Sequence, residues 1–141
     1  MEIVIRPAMQ EEAAQLSQLV HESFVGLAAA AWEESAVSAF LKDSEPRALA
    51  AAIAPSFLAL GAWSDDTAVG FALMPRASLL GMLFVSPSLV GRGVGRQLWE
   101  RTRQEVETRA PEVKTVELNS TPYALAAYKA LGFYPISHEF R

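Results

Sequence analysis

LLGMLFVSPSLVGRGVGRQL, residues Leu79 to Leu98, changes character twice along its length. Leu79 to Val85 is an unbroken apolar run, as expected of a strand buried on both faces. Pro87 has no N–H to donate and stops the pairing. Gly91, Gly93 and Gly95 then alternate with Arg92 and Val94. Beyond them Val94, Leu98, Thr102, Val106 and Ala110 recur every fourth position, which is helical spacing on one side. The stretch therefore reads as strand, loop, helix. A glycine-rich turn that opens a helix leaves several backbone N–H groups without an intrahelical partner. They point the same way as the positive end of the helix dipole, and the glycines remove the Cβ atoms that would hold a ligand away. Arg92 and Arg96 add positive charge beside them. The expectation is a phosphate or pyrophosphate site.

The loop fits neither common nucleotide motif. A Walker A loop needs Gly-Lys-Ser/Thr, which does not occur. A dinucleotide fingerprint needs G-x-G-x-x-G. Arg96 breaks the frame that starts at Gly91, and Leu98 breaks the next. The loop also lies in mid-chain rather than after the first strand. Read alone, it is equally an ordinary glycine turn with no ligand.

Two blocks together carry a resemblance. LFVSPSLVGRGVGRQLW resembles motif A of the GNAT acetyltransferases, in which a strand is followed by a V-x-P turn and Q/R-x-x-G-x-G/A. VELNSTPYALAAYKALGF, Val116 to Phe133, is similar to that family's later strand–helix block, with Asn119, Tyr128, Gly132 and Phe133 at the matching positions. The likeness covers the last half of the chain well and the first half in outline. Val90 stands where the family usually has Gln or Arg.

Length and composition bound the reading. A chain of 141 residues suits one domain, and 51% hydrophobic residues suffice for a substantial interior. A net charge of −4 argues against nucleic acid as a partner. The absence of Cys excludes disulfides, a Cys-based zinc site and a thiol nucleophile. The charged start, with Glu2, Arg6, Glu11 and Glu12, does not resemble a secretory signal, so a cytoplasmic chain is expected. The longest uncharged run, Ala48 to Ser64, is broken by Pro55 and Gly61, so no membrane span is expected.

In chain order, Glu2 to Arg6 alternates as a first strand ending at Pro7. Gln10 to Phe24 has helical spacing, with Gly26 as its stop. Ala28 to Leu41 is a second helical stretch. Ser44 is a candidate cap for a short helix, Pro46 to Ile53. Phe57 to Trp63 and Ala68 to Met74 form a hairpin about Ser64-Asp65-Asp66-Thr67. The helix Gly93 to Ala110 ends before Pro111. Val113 to Leu118 is a fifth strand, returning through a helical crossover and so parallel to the fourth. Thr121 to Leu131 is a helix with Thr121 as cap, Pro122 at its first position and Gly132 past its end. Phe133 to Phe140 is a last strand. The expected fold class is α/β (α+β): a mixed, mostly antiparallel sheet of about six strands, with helices on both faces and a parallel pair framing a cleft. A final family strand is short, missing or supplied by a partner, and a second subunit is a candidate cover for the exposed edge.

The resemblance implies acetyl-coenzyme A as co-substrate in that cleft. Its pantetheine arm would pair with backbone at Leu83, Phe84 and Val85. Its pyrophosphate would take N–H groups from Val90, Gly91, Arg92, Gly93, Val94, Gly95 and Arg96. Asn119 would bond the arm, and Lys129 and Arg96 are candidates for the ribose phosphate. Tyr128 is the candidate catalytic residue, a phenol placed to protonate the departing thiolate; the bland alternative is a buried aromatic. No carboxylate lies on Leu79 to Val85, and no general base is assigned among a water chain, Glu33, Glu34 and His21. Two His and no Cys give a metal site little support. Trp32, Phe40 and Trp63 are candidate acceptor walls, and Glu33 and Glu34 favour a cationic amine, on a small molecule or a peptide. The readings that remain are an N-acetyltransferase, a non-catalytic acyl-CoA-binding regulatory module, and a nucleotide-binding domain.

Overall fold

The structure is a computed structural model that describes residues 2–27, 33–118 and 125–134. Its centre is one sheet in the order β1-β2-β3-β4, antiparallel throughout. The strands are β1 (Val4–Pro7), β2 (Leu58–Ser64), β3 (Thr67–Met74) and β4 (Met82–Val85). Four of the six expected strands are thus seen among the described residues. Pro7 is the last residue of β1 and still pairs in it, opposite Leu60. An edge strand tolerates proline, because one of its sides has no partner to receive an N–H. β2 and β3 form the expected hairpin, closing over Asp65 and Asp66, with Asp65 in the left-handed region at φ 52°.

The helices are α1 (Ala13–Leu27), α2 (Glu34–Asp43), α3 (Pro46–Ile53), α4 (Val94–Arg109) and α5 (Leu125–Ala130). Side chains alternate across the sheet. Leu60, Ala62, Ala72, Met74, Leu83 and Val85 pack with α4 on one face. Ala59, Trp63, Phe71, Leu73, Met82 and Phe84 pack with α1 and α3 on the other. The every-fourth-residue face of α4 is buried from Val94 to Val106 and on to Ala110. No helix among the described residues is long and apolar enough to cross a membrane.

Several boundaries move for physical reasons. Gly26 does not stop α1, which runs to Leu27; the missing Gly26 side chain faces the Pro87 ring. Ser44 does not cap α3, whose N-cap is Glu45. It closes α2 instead: its hydroxyl donates to the Phe40 carbonyl at 2.7 Å, and its own carbonyl accepts from Ser17 Oγ at 2.6 Å. The central strand is shorter than Leu79–Val85. Gly81 packs against Pro75, where a Cβ would lie 2.9 Å from the ring, and regular pairing starts after it. All four residues of β4 are half-buried rather than buried on both faces.

The expected fifth strand is reduced to a bridge. Leu79 pairs with Glu117 in parallel, through Leu80 N–H to Glu117 O at 2.9 Å and Glu117 N–H to Ser78 O at 2.8 Å. Val113–Leu118 otherwise has no ladder with described residues, so among these the parallel pair meets at Leu79, ahead of β4. The expected helix cap at Thr121 and Pro122, residues Ala28–Trp32 of the second helical stretch, and most of the last strand lie outside the described residues.

Candidate functional site

A glycine in β3 decides where α4 begins. A Cβ on Gly70 would lie 3.1 Å from Ala62 Cβ and 3.3 Å from both Leu98 Cδ2 and Val94 Cγ1. The hydrogen atom there lets the first turn of α4 sit directly on the sheet. A Cβ built on Gly95 would lie 3.4 Å from Val85 Cγ2, so that turn starts beside the end of β4.

The loop between them is shaped by two left-handed glycines, Gly91 (φ 83°) and Gly93 (φ 86°). A Cβ at either would meet nothing within 4 Å, so the space before them is open. Arg92 N–H is used within the loop, donating to Leu89 O at 3.2 Å. Intrahelical bonding begins at Gln97, whose N–H donates to Gly93 O at 3.0 Å. Gly93, as N-cap, supplies no side chain. The N–H groups of Val94, Gly95 and Arg96 have no acceptor among the described residues. They form the open, positive end of a helix of 16 residues. Val90 is exposed beside them.

The free edge of β4 adjoins this turn. Ser86 N–H donates to Val69 O at 2.9 Å. Bonded and non-bonded pairs alternate in an antiparallel ladder, so Phe84 bonds inward to β3 while Leu83 and Val85 direct their N–H and C=O outward. Beyond the Glu117 bridge, no described residue pairs with that edge.

α5 lies against the start of α4. Phe133 packs on Trp99 with centroids 4.8 Å apart, and Tyr128 meets Phe133 edge-on at 5.9 Å. Burial pushes the Tyr128 phenol above its ordinary value of 10.0, so it stays protonated. Lys129 is exposed. The Arg96 guanidinium is engaged with α5, donating to Ala130 O at 2.8 Å. Asn119 lies outside the described residues.

On the opposite face of β4, Phe24, Phe40 and Phe84 form an aromatic cluster, with Phe24–Phe40 at 4.2 Å and Phe40–Phe84 at 5.8 Å. Of the residues expected as acceptor walls, Phe40 packs in this cluster, while Trp63 is buried in the core, with the Arg6 guanidinium 4.5 Å above its ring. Trp32 lies outside the described residues. Glu33 and Glu34 are exposed at the start of α2. His21 Nε2 lies 2.9 Å from Ser44 Oγ. The Ser44 hydrogen is already donated to Phe40 O, which assigns Nε2 as the donor; Nδ1 has no partner among the described residues. The Phe40–Phe84 contact and the Arg96 bond to α5 escaped sequence reading. Both join distant segments, and only the Gly132-Phe133 pair hinted at the second.

The comparisons agree on one family. The model of the acetyltransferase (GNAT) domain matches residues 9–141. No curated protein matches the sequence. Among solved structures, the chain is similar to the PaiA N-acetyltransferase of Thermoplasma acidophilum in complex with coenzyme A, at 19% identity and TM-score 0.79, covering 92% of this chain and 86% of that one. A GCN5-related N-acetyltransferase from Rhodopseudomonas palustris gives 24% identity and TM-score 0.82, over 94% and 81%. An aminoglycoside N-acetyltransferase in complex with coenzyme A gives 20% and TM-score 0.68, over 99% and 93%. At such identities the structures speak for the fold, while the family model spans nearly the whole sequence: this chain belongs to the GNAT acetyltransferase family.

Proposed function

We propose that this protein transfers an acetyl group from acetyl-coenzyme A to the primary amine of a small molecule or peptide, by direct attack of the amine on the thioester. The observation that carries this reading is the trio of open amides at Val94, Gly95 and Arg96, next to the outward backbone groups of Leu83 and Val85. Three convergent N–H groups at a helix start suit a diphosphate. A strand edge with alternating free donors and acceptors suits an amide-bearing arm. The open space before Gly91 and Gly93 is where a ligand's phosphate would approach the backbone.

The bound thioester supplies an acyl carbon open to attack and a sulfur able to leave. As the C–N bond forms and the C–S bond breaks, the electron pair goes to sulfur and the amine sheds a proton. Tyr128, held protonated by burial, offers its O–H to that sulfur. A thiol with a pKa of about 8.5 is a stronger acid than this phenol. Tyr128 therefore serves mainly as a hydrogen-bond donor to developing charge. Acceptance of the amine proton has no assigned residue; His21 Nδ1 is a nitrogen of suitable chemistry. Neighbours of similar fold carry an aminoglycoside acetyltransferase activity in name, and one is bound to a bisubstrate analogue. This fits a cationic small-molecule acceptor here.

The test is thiol release across an amine panel, together with calorimetry of coenzyme A. Turnover with at least one amine, falling about 100-fold in Tyr128→Phe while coenzyme A still binds, supports the reading. Coenzyme A binding without thiol release from any amine replaces it with the non-catalytic acyl-CoA module, which the absence of a β4 carboxylate favours. Stronger thermal stabilisation by ATP or NAD than by coenzyme A replaces it with a nucleotide-binding domain.

A further inference from the structure

α5 is described over Leu125–Ala130. Its C-terminus is closed from within. Gly132, at φ 106°, turns the chain back so that Phe133 N–H donates to Tyr128 O at 3.1 Å and Gly132 N–H to Lys129 O at 3.0 Å. The Phe133 ring returns to the Tyr128 ring, as such caps require. That closure satisfies the carbonyls of Tyr128 and Lys129 and leaves that of Ala130. The Arg96 guanidinium takes it at 2.8 Å. A cation at the negative end of a helix gains from both the charge-assisted bond and the dipole. Arg96 makes no ion pair with a described carboxylate. Trp99, one turn further along α4, holds Phe133. Arg96 and Trp99 thus grip the same end of α5.

We propose that the Arg96 side chain is a positioning residue that holds α5, and with it Tyr128, against the start of α4, rather than a ligand of the cofactor's phosphates. Its backbone N–H remains one of the three open amides, so a single residue joins the phosphate cradle to the helix that carries the phenol. A diphosphate that orders the first turn of α4 also steadies α5. The catalytic consequence rests on the reading of Tyr128; the structural one does not.

Arg96→Met and Arg96→Lys separate the two roles, and Arg96 is exposed, so neither disturbs the core. Hydrogen exchange over residues 126–134 needs no acceptor. It is expected to speed up about tenfold in Arg96→Met and to be largely restored in Arg96→Lys, which keeps a donor for Ala130 O. Coenzyme A affinity by calorimetry is expected to change less than about threefold. With an amine found active, kcat falls about tenfold in Arg96→Met, and adds no further loss in a Tyr128→Phe background, because the two act as one unit. Unchanged exchange overturns the proposal, as does a tenfold loss of coenzyme A affinity. If Tyr128→Phe turns over normally, the donor role of Tyr128 fails while the exchange result still decides the role of Arg96.

Discussion

β2 and β3 belong to the same sheet as β4 yet live in different surroundings. Six residues of β2 and the last six of β3 are buried. Every residue of β4 is half-buried. β2 and β3 each have a strand on both sides, with helices covering both faces. Among the described residues β4 pairs with β3 alone; the bridge from Leu79 to Glu117 lies before it, and its other edge, running to the glycine turn, meets no described strand. The centre spends its backbone groups on itself. Among the described residues the margin leaves three amides and one strand edge unpaired, and the centre fixes where they stand. Stability belongs to the first region and chemistry to the second, so substitutions in each should move different measurements.

The largest expected effect is in the centre. Leu98 is fully buried between α4 and the sheet, and Leu98→Ala should cost about 3 kcal/mol of unfolding free energy in chemical denaturation. Because α4 sits on Gly70 by way of Leu98 and Val94, coenzyme A affinity should fall with stability. A loss below about 1 kcal/mol would mean that the centre does not hold the margin in place.

At the margin the contrast inverts. Tyr128→Phe should lower kcat about 100-fold, about 2.7 kcal/mol of barrier, with little change in melting temperature. Burial raises the phenol above 10.0. Since a raised pKa keeps the proton on, activity should not lose this donor as pH rises from 7 to 10 in the wild type. An alkaline limb near pH 8 that disappears in Tyr128→Phe would refute the effect of burial.

The centre was also the more legible region. The residues Val94, Leu98, Thr102, Val106 and Ala110 follow one helical face, and that face is buried as the spacing requires. The hairpin about Asp65-Asp66 and the left-handed Gly132 likewise follow from local chemistry. Legibility fails where a distant partner decides. Gly26 looks like a helix stop, but it lies in α1 facing Pro87. Ser44 looks like a cap for the helix after it, but its hydroxyl bonds back to Phe40. The apolar run from Leu79 looks like one strand until Gly81 meets Pro75. At the site, the open turn at Gly91 and Gly93 could be anticipated from the glycines. The engagement of Arg96 with Ala130, 34 positions away, had no signal in the sequence beyond the nearby Gly132-Phe133 pair.

Gly93→Ala sharpens the division by touching only the margin. No atom blocks the added methyl, so its cost comes from the left-handed backbone, about 1 kcal/mol. The methyl also enters the space where the amides face outward, and coenzyme A affinity should drop about tenfold, a larger change than the stability loss implies. An affinity unchanged within error would show that no phosphate approaches this turn.

The smallest effect comes from a helix entrance that is closed rather than open. Before α1, Glu12 accepts the Met9 N–H at 2.9 Å and pairs with Arg6, whose Nη2 lies 2.6 Å from Glu12 Oε2. The hydrogen bond from Arg6, aided by that from Met9, holds the Glu12 carboxyl below its usual 4.5. A carboxylate with a lowered folded pKa adds stability that is present above the unfolded value and is lost as pH falls through the folded one. Arg6 is well exposed, so screening limits the gain. Glu12→Gln should therefore cost no more than about 1 kcal/mol at pH 7, with the difference from wild type shrinking as pH drops below 4.5. Catalysis should be untouched, since this entrance is closed by the protein's own side chains, whereas that of α4 is not. A gap in stability that persists at pH 2 would assign the effect to packing rather than to charge.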